Sequence, residues 1–210
     1  MITDRYTTFT IKRDTIIRCA NACGLGGLLM LLSVQLHTYG GTCGASARQL
    51  AATARVHPTT AAKHLHDLAN GGFVKEQRSA GRVWRRIVQS GDGHVIKIDS
   101  DALKLCNAGD VLAMAVLLEA LADRSGGVFR VAFTKLAALA ACSVNTAKRL
   151  LREAETQELA TVRKSGWGEV QIVPVGTIRQ KTERVHSANA ASDKWAAIAA
   201  KAAAALQRGV

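Results

Sequence analysis

The sequence predicts a mainly α fold with small β hairpins (α+β), in which one small module occurs twice and a C-terminal helix follows. Two observations carry this. The stretch Ser46–Phe73 reads as two short helices around a tight turn, and a strand, a turn and a strand come directly after it. The chain also matches itself at an offset of 86 residues without a gap between Asn21 and Ser79.

In the first copy, Ser46 and Gln49 have the spacing of a capping box, in which each side chain satisfies a backbone donor at the helix start. Val56 closes the turn. Pro58 stands at the first position of the second helix, where a missing N–H costs nothing. Over Pro58–Ala69, Ala61, Leu65 and Leu68 recur at helical spacing and point inward, which turns Thr59, Thr60, Lys63, His64 and Asp67 outward. Asn70-Gly71-Gly72 ends the helix. Phe73–Gln77 and Arg82–Val88 then read as strands joined by Arg78-Ser79-Ala80-Gly81.

The repeat shows as Asn21-Ala22 with Asn107-Ala108, Leu31-Leu32 with Leu117-Leu118, and Gly40-Gly41 with Gly126-Gly127. Leu50-Ala51-Ala52 returns as Leu136-Ala137-Ala138, Thr60-Ala61 as Thr146-Ala147, Leu65 as Leu151 and Ser79 as Ser165. Upstream, Ile11-Lys12-Arg13-Asp14-Thr15 resembles Ile96-Lys97-Ile98-Asp99-Ser100 with a one-residue slip. Each copy should open with a short strand and continue into a long apolar helix, Leu25–His37 or Asp110–Asp123. A Gly-Gly turn, a connecting strand, the helix pair and the hairpin follow. In the second copy the helices are Phe133–Ala141 and Val144–Glu155, with Ser143 a good N-cap where the first copy has His57. Its hairpin runs over Leu159–Lys164 and Glu169–Pro174 around Ser165-Gly166-Trp167-Gly168, and Trp167 either folds onto the hairpin or meets a partner. The expected units are 1–92, 93–175, a linker at 176–191 and an alanine-rich helix within 192–210. That helix, Ser192–Gln207, carries a narrow stripe of Trp195, Ile198, Ala202 and Leu206, which docks on its own chain or makes a homodimer.

The pattern T-A-x-K-x-L-x-x-L-x-x-x-G-F-V from Thr60 to Val74, followed by a basic hairpin, resembles the winged helix-turn-helix family, bacterial regulators of the MarR, ArsR and GntR kind included. The resemblance implies a second helix that enters the major groove and a hairpin, the wing, that touches phosphates or the minor groove. Two such modules on one chain are similar to the arrangement of plasmid replication initiators.

Charge points to the same partner. The formal net charge is +12 with a pI near 10, a balance that implies a polyanion. Residues 1–90 hold 12 Lys/Arg against 4 Asp/Glu, residues 91–175 hold 10 against 10, and residues 176–210 hold 6 against 2. The first copy should therefore bind hardest. Aromatic residues make up 4% of the chain, so duplex binding is favoured over base stacking on single strands. Arg48, Lys75, Arg78, Arg82, Arg85 and Arg86, with Lys12 and Arg13, are the expected phosphate-seeking cations of the first copy. Arg152, Arg163 and Lys164 join the basic face of the second copy. Thr59, Thr60, Lys63 and His64, and Asn145, Thr146, Lys148 and Arg149, are the expected base readers, because lysine and arginine can fork onto guanine, asparagine onto adenine, and threonine can meet the thymine methyl.

Five scattered cysteines do not resemble a disulfide framework; Cys19 and Cys23 with His37 or Cys43 could hold a metal, but small buried cysteines are commoner. No Gly-rich phosphate loop, metal-binding histidine spacing or carboxylate pair stands out, so recognition without a cofactor is expected, not catalysis. The N-terminal residues lack the apolar core of a signal peptide, and the apolar run Leu28–Leu32 is far short of a membrane span. A cytoplasmic DNA-binding regulator is the expectation. A replication initiator or partition protein and a protein-binding adaptor are the alternatives.

Overall fold

The computed structural model describes residues 8–91, 94–99, 109–124, 127–165 and 169–174. The linker and C-terminal helix expected at 176–210, Trp167 and the Lys164 side chain lie outside the described residues.

β1 (Thr8–Lys12) leads into α1 (Arg13–Leu36), followed by the two-residue strands β2 (Thr38–Tyr39) and β3 (Thr42–Cys43). Then come α2 (Ala47–Ala54), α3 (Pro58–Asn70), β4 (Val74–Ser79) and β5 (Arg82–Ile87). The second half holds β6 (Val95–Asp99), α4 (Gly109–Arg124), β7 (Phe129–Ala132), α5 (Phe133–Leu139), α6 (Val144–Thr156), β8 (Ala160–Lys164) and β9 (Glu169–Pro174). Among the described residues this is a mixed fold of six helices and three small open sheets. The spans of α3 and α6 lie 86 residues apart at both ends. The hairpin sheets are ordered β3-β5-β4 and β7-β9-β8, with β2 added to the edge of the first.

The first long helix departs from the expected Leu25–His37. Ile16, Cys19 and Ala20 are buried and carry the helix upstream to Arg13, while Gly24, at φ 69° and ψ −178°, breaks it in the middle. That left-handed backbone suits glycine, which has no Cβ to clash with the next carbonyl. By length and composition α1 could cross a membrane, but the fold buries most of it, with Leu28, Met30, Leu31, Leu32 and Val34 fully enclosed.

The boundary expected at residue 92 is not a seam. β1 of the first half pairs antiparallel with β6 of the second, α1 packs along α4, and the buried side chains of both halves form one continuous core. Leu112, Met114, Val116, Leu117 and Leu118 of α4 are as enclosed as the leucines of α1. Each helix supplies the apolar surface that the other covers, which removes far more area from water than either module could alone.

Candidate nucleic-acid interface

The first half builds a basic surface from α2, α3 and the β4–β5 hairpin. α2 starts on a full capping box: Gln49 N–H donates to Ser46 Oγ at 3.2 Å, and Ser46 N–H donates to Gln49 Oε1 at 2.8 Å. Arg55 adopts a left-handed conformation at its end, and Val56 N–H closes the turn on Ala51 C=O at 3.0 Å. α3 starts at Pro58, and its cap is His57, whose Nδ1 accepts from Thr59 N–H at 3.4 Å and lies 2.7 Å from Thr59 Oγ1. Ala61, Leu65 and Leu68 anchor α3 to the core, so Thr59, Thr60 and Lys63 stand exposed on the other side. Ala80 and Gly81, both at positive φ, form the two-residue tip of the hairpin between Ser79 and Arg82.

The pleat of the hairpin sorts its cations. On one face Lys75 stands directly opposite Arg86, Gln77 opposite Trp84, and Ser79 opposite Arg82. Lys75, Arg78, Arg82 and Arg86 are exposed, as are Arg48 on α2 and Lys63 on α3. No carboxylate pairs with these six among the described residues. Two like charges set opposite each other across a ladder destabilise it, and an anion laid over both would relieve the repulsion.

Two of the expected contact residues face inward. Arg85 retains 6% of its accessible surface; its Nε donates to Glu76 Oε1 at 2.8 Å and its Nη1 to Ala45 C=O at 3.0 Å. It ties the hairpin to the start of α2, and its burial keeps it from a phosphate. The pleat puts Arg85 on the same face as Glu76, and the contact with Ala45 at the head of α2 covers it. His64 is half-buried with its imidazole over Gly26 of α1, and its Nδ1 is buried without a hydrogen-bond partner. It fills the space that the absent Cβ of Gly26 leaves. Lys12 and Arg13 are also engaged: Lys12 Nζ donates to Gly91 C=O at 3.2 Å, and Arg13 Nε lies 3.3 Å from Asp14 Oδ1.

In the second half, Ser143 caps α6 by accepting from Thr146 N–H at 3.1 Å, and the two hydroxyls lie 2.8 Å apart. The Thr146 hydroxyl is therefore used locally. Arg149 pairs with Glu153 at 2.7 Å, and the Lys148 ammonium lies 5.2 Å from the Phe133 ring centroid, a cation–π contact. Asn145, Arg152 and Arg163 are exposed. Among the described residues, the second basic face thus keeps fewer uncommitted cations than the first.

Four of the five cysteines lie among the described residues. Cys19 and Cys43 are buried, and Cys23 and Cys142 are partly so. A hydrogen bond to Cys23, helped by burial, pushes the Cys19 thiol far up, and the same bond holds Cys23 below the ordinary thiol range. Burial raises Cys43 and Cys142. His37 Nε2 lies 2.8 Å from Thr53 Oγ1, and no group of three His, Cys, Asp or Glu side chains with the geometry of a metal site occurs among the described residues.

Comparison with protein-family models, with curated proteins and with solved structures finds no match for this chain.

Proposed function

We propose that this protein is a sequence-specific double-stranded-DNA-binding protein, a transcriptional regulator of the repressor type, whose halves act as two winged helix-turn-helix modules. The observation that carries the reading is the set of six exposed, unpaired cations on α2, α3 and the β4–β5 hairpin, with Lys75 held opposite Arg86. A fold gains nothing from leaving like charges face to face, whereas a duplex supplies phosphates at regular spacing and releases counterions when they are neutralised. The matching sheet orders β3-β5-β4 and β7-β9-β8, in each of which one strand precedes a helix pair and two follow it, support the modular reading. Arg48, Lys75, Arg78, Arg82 and Arg86 would contact phosphates, with Thr59, Thr60 and Lys63 reading bases. Asn145, Lys148 and Arg149, with Arg152 and Arg163, would do the same more weakly in the second half. Arg85 and His64 support the surface from behind.

The test is fluorescence anisotropy with labelled duplex across a salt series. Engagement of about six to ten phosphates predicts a drop in affinity of about 10³–10⁵-fold between 50 and 200 mM salt. Reversing Lys63, Arg78 and Arg82 together to glutamate should weaken binding by at least about 10²-fold at 100 mM salt, since each phosphate contact contributes roughly tenfold there. An unchanged affinity in a variant with wild-type circular dichroism would refute the reading.

A further inference from the structure

The two halves are joined by more than a shared core, and the way they are joined has a direction. Ile11-Lys12 and Ile96-Lys97 occupy the same place in the repeated pattern, and in the β1–β6 ladder Ile11 lies directly opposite Ile96. The neighbours follow the same rule, since Thr10 pairs with Lys97 and Lys12 with Val95. Antiparallel pairing of a strand with its own counterpart, with equivalent residues in register, is the local signature of a twofold axis. A translation of one module along the other would have left those strands parallel.

A second set of contacts, far from this ladder, obeys the same axis. Gly24, at the break in α1, lies against the turn of the second helix pair; a Cβ built there would stand 3.7 Å from Ala141 Cβ and 4.0 Å from Ala140 C=O. Gly109, at the start of α4, lies against the corresponding turn of the first pair, and its Cβ would stand 3.2 Å from Ala54 C=O. The offset of 86 carries Ala54 to Ala140 and places Gly109 within one residue of Gly24. The contact is thus reciprocal: the glycine heading each long helix seats the helix pair of the opposite half.

We infer that one chain, without a second copy, reads an inverted pair of unequal half-sites in duplex DNA, α3 taking the tighter half and α6 the looser. The inference rests on the DNA-binding reading above. Duplex DNA has dyads perpendicular to its axis, so recognition helices related by a twofold meet sequences related by inversion, whereas direct repeats would require modules related by translation. The inequality comes from the charges. Lys63 and the exposed hairpin cations Lys75, Arg78, Arg82 and Arg86 are uncommitted among the described residues, but Arg149 is held by Glu153 and Lys148 by Phe133.

The experiment is selection of bound sites from random duplex DNA by the full chain, with the stoichiometry of the selected complexes read by native mass spectrometry. The expected product is an inverted pair with centres about 10 base pairs apart, bound one chain to one duplex. Turning one half-site around should then lower affinity by about tenfold or more, because several base pairs become wrong at once. Lys63→Glu should relax selection in one half-site only, and Asn145→Ala in the other only. Direct repeats, a single half-site, or a palindrome holding two chains would overturn this inference and leave duplex binding intact. Failure to bind any duplex at 50 mM salt would overturn both.

Discussion

Arg85 and His64 show what a side chain's type says about its role and what it leaves open. Both belong to residue types that bind DNA, and both stand in runs of such residues. Arg85 is claimed by Glu76 across the ladder and by a carbonyl forty positions away in the chain, and His64 by a glycine on α1. Ala45 and Gly26 are distant in sequence, so the pattern around each residue carried no sign of them. Ala80 is a different case. It holds φ 49° at the hairpin tip, a left-handed conformation that costs an alanine roughly 1 kcal/mol. Ala80→Gly should therefore stabilise the protein by up to about 1 kcal/mol, a gain partly offset by the greater freedom of glycine in the unfolded chain. A rise in the urea midpoint at unchanged slope is the result to look for, and a fall would show that the tip is not strained.

At the scale of elements, the hairpin trades stability for charge. Lys75 and Arg86 face each other, and no carboxylate pairs with either among the described residues, so the β4–β5 ladder is weaker than its residues allow. Arg86→Glu would replace repulsion with a cross-strand ion pair. It should raise stability by about 0.2–1 kcal/mol while lowering duplex affinity, and the two effects can be read separately by thermal melting and anisotropy. Were affinity to rise with stability, Arg86 would not be meeting phosphate. The helices behave more simply. Capping at Ser46 and Ser143, the proline at the head of α3 and the apolar spacing of α3 and α6 are local signals, and they mark these elements to within a residue or two. α1 was harder to read because its break at Gly24 answers to a turn in the opposite half.

At the scale of the whole molecule, the described parts of the two halves share one core. α1 and α4 bury each other, and β1 has no strand partner other than β6 among the described residues. Opening the contact would expose Leu28, Leu32, Leu117 and their neighbours together, at about 25 cal/mol for each Å² of apolar surface. A single cooperative transition is expected in calorimetry, with calorimetric and van't Hoff enthalpies equal. Two resolved transitions would mean that the halves fold separately, and would remove the rigid twofold on which inverted half-sites depend.

The sequence by itself determined where the helices of the two pairs, their caps and the hairpin strands begin and end to within a residue or two, that a pattern returns after 86 residues, and that positive charge gathers in the first half. These depend on neighbours within a few positions or on simple composition, which any reading of the chain can see. Only the tertiary structure decided that two expected modules share one core, that their first strands meet head to tail, and which cations stay free. Those outcomes turn on contacts between residues tens of positions apart, where burial and hydrogen bonding select one face of each strand and helix and no local pattern records the choice.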